Sequence, residues 1–455
     1  MSRRRRLLLA ALGVLVAVVS PAAAHGAGLS GAADRSLEVP TWLFLLTGGG
    51  VVGASFLLAS FVTDRSFIRR VHGWRRGGAV PRQRVALWAA RLVGVVGLAL
   101  VVAVGLLGPR EATRNAAVLV VWVGWWSGYT MTTYLVGNTW PALNPWRAVA
   151  AALPSLGWPY PERLDAWPSV VGLLALVWLE VVSPVADRPR FLAGVVAGYT
   201  VLTVAGAVAF GTTTWFGRVD PISRVFRYFG RLAPLYDDDG VRLRLPGVGL
   251  DEPKLVTSRA EAAFVVAVLW VTTYDGLVAT PLWRRLAVAV VESGIPPALL
   301  YPAALLVGYL VVLAVYAAAV RYSKRAARTY LSADALARRF APPLLAIAAG
   351  YHLAHFLGYF LELSPALATT VAAPLSPPEP VALVLPGWFG GVELGAVVLG
   401  HLLAIWVAHA AAYDVFPGKL QAVRSQYGVT VAMVCYTMAS LWIVSQPYAV
   451  PPYVS

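Results

Sequence analysis

Ten long apolar runs follow the first 40 residues of this 455-residue chain, and the basic residues between them alternate in density. A run of about 20 mostly apolar residues is what a helix needs to cross a hydrocarbon layer of roughly 30 Å. The runs extend from Thr41 to Val62, Val85 to Leu107, Asn115 to Val136, Ser169 to Ala186 and Phe191 to Gly211. They continue from Glu261 to Ala279, Ala298 to Val320, Phe340 to Leu361, Val392 to Ala412 and Gly428 to Val444. A soluble core helix keeps a polar face, whereas Leu92 to Leu107 has none. Charged residues make up only 13% of the chain, and mean hydropathy is +0.68. The expectation is an all-α, polytopic integral membrane protein with about ten transmembrane helices.

The net charge of +15 raises nucleic acid as a partner, and its distribution argues against that. Alternate loops, beginning with Arg65 to Arg84, hold 25 Lys and Arg residues, and the loops on the opposite side hold 7. That bias is the positive-inside pattern and assigns the rich loops to the cytoplasm. Anionic lipid headgroups are the expected partners of this charge. With ten spans, both mature ends face outward in the cell membrane.

The N-terminus agrees with this orientation. Arg3 to Arg6 form a basic stretch, Leu7 to Val19 a short apolar one, and Ala22 to Ala24 a small-residue cleavage site. This is the grammar of a cleavable secretory signal peptide over residues 1–24. Cleavage would leave His25 first, where its amine and ring offer a bidentate chelate for copper. Residues 25–455 then form one transmembrane domain. The lone cysteine, Cys435, excludes an intrachain disulfide and a thiolate metal cluster.

The longest cytoplasmic loop runs over about residues 212–258. Asp220-Pro221 places a helix cap before a first-turn proline. Ile222, Val225, Phe226 and Phe229 then share one face, which predicts an amphipathic helix lying at the membrane surface. Asp239-Gly240 before Val241 to Leu245 predicts a small hairpin. Thr139 to Gly157, interrupted by Pro141, Pro145 and Pro154, predicts an interfacial or re-entrant piece. Re-entrant backbone is tolerated where protein or a watery cavity covers it. Gly194 and Gly198 form a small-xxx-small pair that predicts helix packing.

Ionisable groups inside a bilayer are costly and are functional candidates by default. Here they are Arg91, Glu180, Asp275, His352, His355, Glu362, Glu393, His401 and His409. The topology puts Glu180, Asp275, Glu362 and Glu393 near the outer ends of their spans, and His352, His355 and His401 near mid-membrane. His352 and His355 are three residues apart and can share a helix face. Together these residues suggest an outward-facing cluster. His352, His355, His401 and, separately, His25 are candidate ligands for zinc, copper or iron. Asp275, Glu180, His355 and His401 are the candidate catalytic groups, since a bound metal lowers the pKa of its water to about 7. The same residues suit a proton relay, an imidazole-ligated haem, or plain hydrogen bonds between helices. Covalent haem attachment lacks its C-x-x-C-H motif here, and no Walker loop, G-x-S-x-G or H-E-x-x-H occurs.

Several phrases together resemble a family of prokaryotic polytopic membrane proteins labelled fenitrothion hydrolase. They are Leu143-Asn-Pro-Trp-Arg-Ala148, Pro159-Tyr-Pro-Glu-Arg-Leu164, Trp178-Leu-Glu180 and Arg231-Leu-Ala-Pro-Leu235. Further along come Thr272-Thr-Tyr-Asp-Gly276, Tyr351-His-Leu-Ala-His-Phe356 and Arg424-Ser-Gln-Tyr427, with His25-Gly26 after the leader. The resemblance spans nearly the whole chain. It implies hydrolysis of an organophosphate triester, a small-molecule substrate, to a phenol and a dialkyl thiophosphate. It assigns no catalytic residues. Metal-assisted hydrolysis at an outward-facing cavity is the leading expectation. A permease or metal/haem-handling protein, and a purely structural membrane subunit, are the alternatives.

Two outcomes follow from the charge pattern and the leader. Single cysteines placed at Arg75 and Arg328 in a Cys435→Ser background should react with impermeant maleimide only from the cytoplasm, and one at Ser376 only from outside. External labelling at Arg75 would overturn the orientation. Intact-mass measurement of the purified chain should find His25 at the N-terminus, and a chain starting at Met1 or Ser2 would remove the chelate.

Overall fold

The computed structural model describes residues 20–21, 41–77, 84–237, 240–447 and 449–453. Leu7 to Val19, Ala22 to Ala24 and His25 lie outside the described residues, and with them the leader and its chelate. The chain is mostly helical. Helices α1 (Thr41–Phe61), α2 (Arg65–His72) and α3 (Arg84–Leu107) come first. Next, α4 (Ala116–Leu119) runs through a π-helical segment (Val120–Tyr129) into α5 (Thr130–Leu135). The short α6 (Trp140–Leu143) and α7 (Pro145–Ala151) precede α8 (Trp167–Val182), α9 (Pro189–Phe210) and α10 (Pro221–Phe229). The second half holds α11 (Arg259–Val278), α12 (Pro281–Glu292), α13 (Pro297–Ala327), α14 (Ala333–Phe340) and α15 (Leu344–Ala372). It ends with α16 (Phe389–Val415), α17 (Lys419–Arg424) and α18 (Tyr427–Val444).

All ten predicted runs are helical, and among the described residues seven helices are long and apolar enough to cross a membrane. An eighth is obtained if α1 and α2, bent by 116° at Val62 to Asp64, count as one. The two remaining runs fall short by local geometry. The π-helical segment divides the third, and α8 has only 16 residues. At the bend, Asp64 caps α2 by accepting the Ser66 N–H at 2.8 Å.

Side chains are sorted by helix face as a hydrocarbon surround requires. Trp88, Leu92 and Val93 on α3, and Leu306, Val307, Leu310 and Val311 on α13, are exposed and apolar. Thr130, Thr133, Thr437 and Ser440 are buried. The central helix α11 is buried along most of its length. Ser258 caps its start by accepting the Glu261 N–H at 3.1 Å, and Glu261 reaches back to accept the Thr257 N–H at 2.7 Å.

Helices α15 and α16 approach most closely where Gly350 meets Gly400. A Cβ on Gly350 would lie 2.7 Å from the Ala396 carbonyl oxygen and 2.9 Å from the Gly400 Cα. Gly194 and Gly198 behave differently from the packing expectation. A Cβ on either would meet nothing within 4 Å, so this pair forms no contact among the described residues. Both face outward on α9, and a small-residue spacing alone does not say which way a face turns.

At one end of the bundle a polar layer collects the arginine-rich loops. Strands β3 (Leu235–Asp237) and β4 (Val241–Arg244) form the predicted hairpin, and β2 (Arg75–Arg76) adds to β4. Two-residue strands β1 (Ser20–Pro21) and β5 (Val381–Ala382) pair separately. Arg244, only 2% exposed, organises the layer. Its guanidinium donates to the carbonyls of Ala233 at 3.0 Å and of Gly230 and Arg231 at 3.1 Å, and sits 4.7 Å from the Tyr236 ring centroid. Burial pulls its pKa down to about 10, so it stays charged at neutral pH. Asp251 meets Arg339 at 2.6 Å and His72 at 3.2 Å.

The surface-lying helix expected after Asp220 is corrected here. Helix α10 is capped by Asp220 as predicted, but Arg224, Val225, Phe226, Tyr228 and Phe229 are all buried. Arg224 reaches Glu261 at 2.8 Å, so even its cationic side turns into the protein. A helix with both faces covered has partners, and amphipathic spacing does not reveal whether lipid or protein supplies them.

Replacing Gly350 by Val should force α15 and α16 apart at a cost of about 1–3 kcal/mol. Thermal unfolding in detergent should show a clearly lower midpoint. Gly395→Ala, on the same helix pair but with no atom within 4 Å of its Cβ, should change the midpoint little.

Candidate functional site

Asp275 stands on the last turn of α11, and His355 faces it from α15. His355 Nε2 lies 3.1 Å from Asp275 Oδ2, with the side chains 33% and 29% exposed. The pair is therefore not fully covered by protein. The His355 Nδ1 makes no hydrogen bond among the described residues, which leaves it for water or a ligand. Tyr351 stacks beside the ring at 18°, and Phe356 meets it edge-on at 4.8 Å. These contacts and the carboxylate fix the imidazole from three sides.

Two further carboxylates act on this pair from other helices. Glu180 on α8 is within electrostatic reach of Asp275, and Glu393 on α16 within reach of His355. Of the candidate catalytic residues, the structure thus associates Asp275, His355 and Glu180.

The histidine cluster does not form as expected. His352 Nε2 donates to the Trp126 carbonyl at 3.2 Å, so Nδ1 is the acceptor for the Tyr134 hydroxyl at 3.0 Å. Both ring nitrogens are engaged, by the π-helical segment and by α5. Residues three apart on a helix are offset by roughly 60°, and that offset carries His352 and His355 to different neighbours. His401 donates Nδ1–H to the Val397 carbonyl at 2.9 Å within its own helix. His409 donates Nε2–H to Val62 O at 3.0 Å, tying α16 to the end of α1, and its Nδ1 lies 3.3 Å from the Gln426 side-chain amide. Among the described residues, no group of three or more His, Cys, Asp or Glu is placed to hold a metal. The donor set His352, His355 and His401 does not fit a resident zinc, copper or iron ion.

Sequence reasoning missed two features. One is a set of buried side-chain atoms with no hydrogen-bond partner among the described residues, among them Tyr351 Oη, His401 Nε2, Ser440 Oγ and Trp122 Nε1 of the cavity wall. Such atoms are what internal water molecules commonly satisfy. The other is an aromatic cavity of about 320 Å³. Its walls come from α3, the π-helical segment, the α6–α7 break, α8, α9 and α10. Trp122, Trp125 and Trp126 of the π segment face Trp140 and Trp146 of the break across it, and Glu180 lies in its lining. Trp125 packs on Trp140 at 5.7 Å and on Phe226 at 5.6 Å.

The local causes are visible. Asn144 caps α7 by accepting the Arg147 N–H at 2.9 Å, and Pro145 starts it. That break turns Trp140 and Trp146 inward, so the proline-interrupted piece does line a cavity. The segment Val120–Tyr129 is π-helical, with the Ser127 hydroxyl also donating to the Trp122 carbonyl at 2.8 Å, and π-helical turns are frequent at functional sites. The tryptophan density of Trp122 to Trp126 was the available signal. Glu180 joins the two parts, since it lines the cavity and acts on Asp275.

No protein-family model, curated protein or solved structure matches this chain.

Proposed function

We propose that this chain is a ten-span membrane protein with its arginine-rich layer in the cytoplasm, and that it hydrolyses an apolar ester, of the organophosphate triester class, at the His355–Asp275 pair. The observation that carries the reading is the geometry of that pair: an imidazole held by a carboxylate at 3.1 Å, partly exposed, with its second nitrogen unengaged. The family resemblance supports the substrate class. The charge alternation supports the orientation, and the apolar helices support the location.

The chemistry asks little beyond these residues. Asp275 accepts Nε2–H and orients the ring, so Nδ1 carries the lone pair. That nitrogen takes a proton from water as the water oxygen bonds to phosphorus. The bond from phosphorus to the aryl oxygen breaks, and the phenolate leaves and takes up a proton. Asp275 stabilises the imidazolium in between. A positioned general base of this kind contributes about 100- to 10,000-fold. The metal route expected from sequence is not used, because the histidines do not converge.

A second reading is proton-coupled transport. It is favoured by the electrostatic link among Glu180, Asp275, His355 and Glu393, which spans four helices.

Purified protein in lipid nanodiscs, given a chromogenic phosphotriester, should release the phenol. His355→Ala and Asp275→Asn should each lower kcat at least ~100-fold, whereas His401→Phe should alter stability and leave kcat within a few fold. Full turnover in His355→Ala would overturn the hydrolytic role. An inactive native protein that instead moves protons in proteoliposomes, with loss in Asp275→Asn, would establish the second reading in its place.

A further inference from the structure

We infer that the aromatic cavity is a binding site for a lipophilic monocation, with Glu180 as its counter-charge. The inference stands apart from the proposed hydrolysis, because it concerns the cavity and not the His355 ring. The cavity's volume of about 320 Å³ falls at the lower end of the range for small-molecule sites, roughly 300–1,000 Å³. A neutral apolar guest needs only the walls. The lining contains more than that: a single carboxylate, Glu180, in an otherwise apolar and aromatic surface with no Lys or Arg.

Among the described residues Glu180 makes no hydrogen bond or ion pair, and the acidic neighbour that acts on it, Asp275, adds negative potential. A charged carboxylate in a low-dielectric wall is costly without a partner, so a cation seated beside Glu180 is what would let it carry its charge there. The walls favour the same sign of guest. Trp122, Trp125, Trp126, Tyr129 and Trp140 line the space, and aromatic faces attract cations by about 0.5–2 kcal/mol each. The guest must also leave water at low cost. A compact ammonium holds its hydration strongly, whereas a quaternary ammonium or phosphonium spreads its charge beneath apolar groups. Charge complementarity at Glu180, aromatic faces and an apolar surround therefore select a bulky delocalised cation.

The test uses the full chain in nanodiscs, with methyltriphenylphosphonium as the cation and triphenylphosphine oxide as its near-isosteric neutral counterpart. Empty nanodiscs correct for partition into lipid. Saturable binding of the cation, read by equilibrium dialysis and by tryptophan quenching, is expected. Glu180→Gln should weaken it at least ten-fold. The neutral compound should bind at least ten-fold more weakly than the cation to the native protein, and equally to native and Glu180→Gln protein, which also reports that the variant cavity is intact. His355→Ala should bind the cation as the native protein does, even where hydrolysis is lost. No saturable binding above empty nanodiscs, or cation binding unchanged in Glu180→Gln, would overturn the inference.

Discussion

A polar atom surrounded by apolar groups must find its partner within the protein, because no solvent is there to supply one. Most of this structure is a response to that constraint. His352 is bonded at both ring nitrogens, His409 donates to Val62 O, and Trp270 Nε1 donates to Leu305 O at 2.8 Å. Buried threonines return their hydroxyls to the preceding turn, as Thr437 does to Met433 O at 2.8 Å. Against that background the departures carry the functional argument. His355 offers one nitrogen, Glu180 has no bonded partner among the described residues, and Tyr351, His401 and Ser440 each hold a buried atom without one.

The same constraint explains the polar layer. Arg244 is buried with three backbone carbonyls around its guanidinium, and Arg224 with Glu261. Breaking a buried charged pair by removing one partner is typically worth about 3–5 kcal/mol. These arginines therefore do structural work, although by sequence they count only toward a charge bias. Helix α10, which carries Arg224 into the layer, also gives Ile222 and Val225 to the wall of the aromatic cavity.

The proposed hydrolysis and the proposed cation site share one wall. Glu180 belongs to the cavity lining and to the electrostatic surroundings of Asp275. The groups that carry the two proposals are nevertheless different: the Glu180 carboxylate and the aromatic walls for the cation, and the His355 ring held by Asp275 for hydrolysis.

The helical segments were legible from composition alone, since apolar length is a one-dimensional property: all ten runs from Thr41 to Val444 are helices. The caps at Asp220 and Asn144 were legible too, because a cap acts within three residues. The pairing of His355 with Asp275 was legible only in part. Both residues stood out as ionisable groups in apolar surroundings, yet their spacing of 80 positions carries no distance. The expected three-histidine cluster failed for the same reason. Helix periodicity gives a residue's angle on its own helix, but only packing decides which neighbour that angle faces. The burial of α10, the outward turn of Gly194 and Gly198, and the aromatic cavity were likewise decided by tertiary structure. Each depends on what covers a face, and that covering comes from segments far away in the chain.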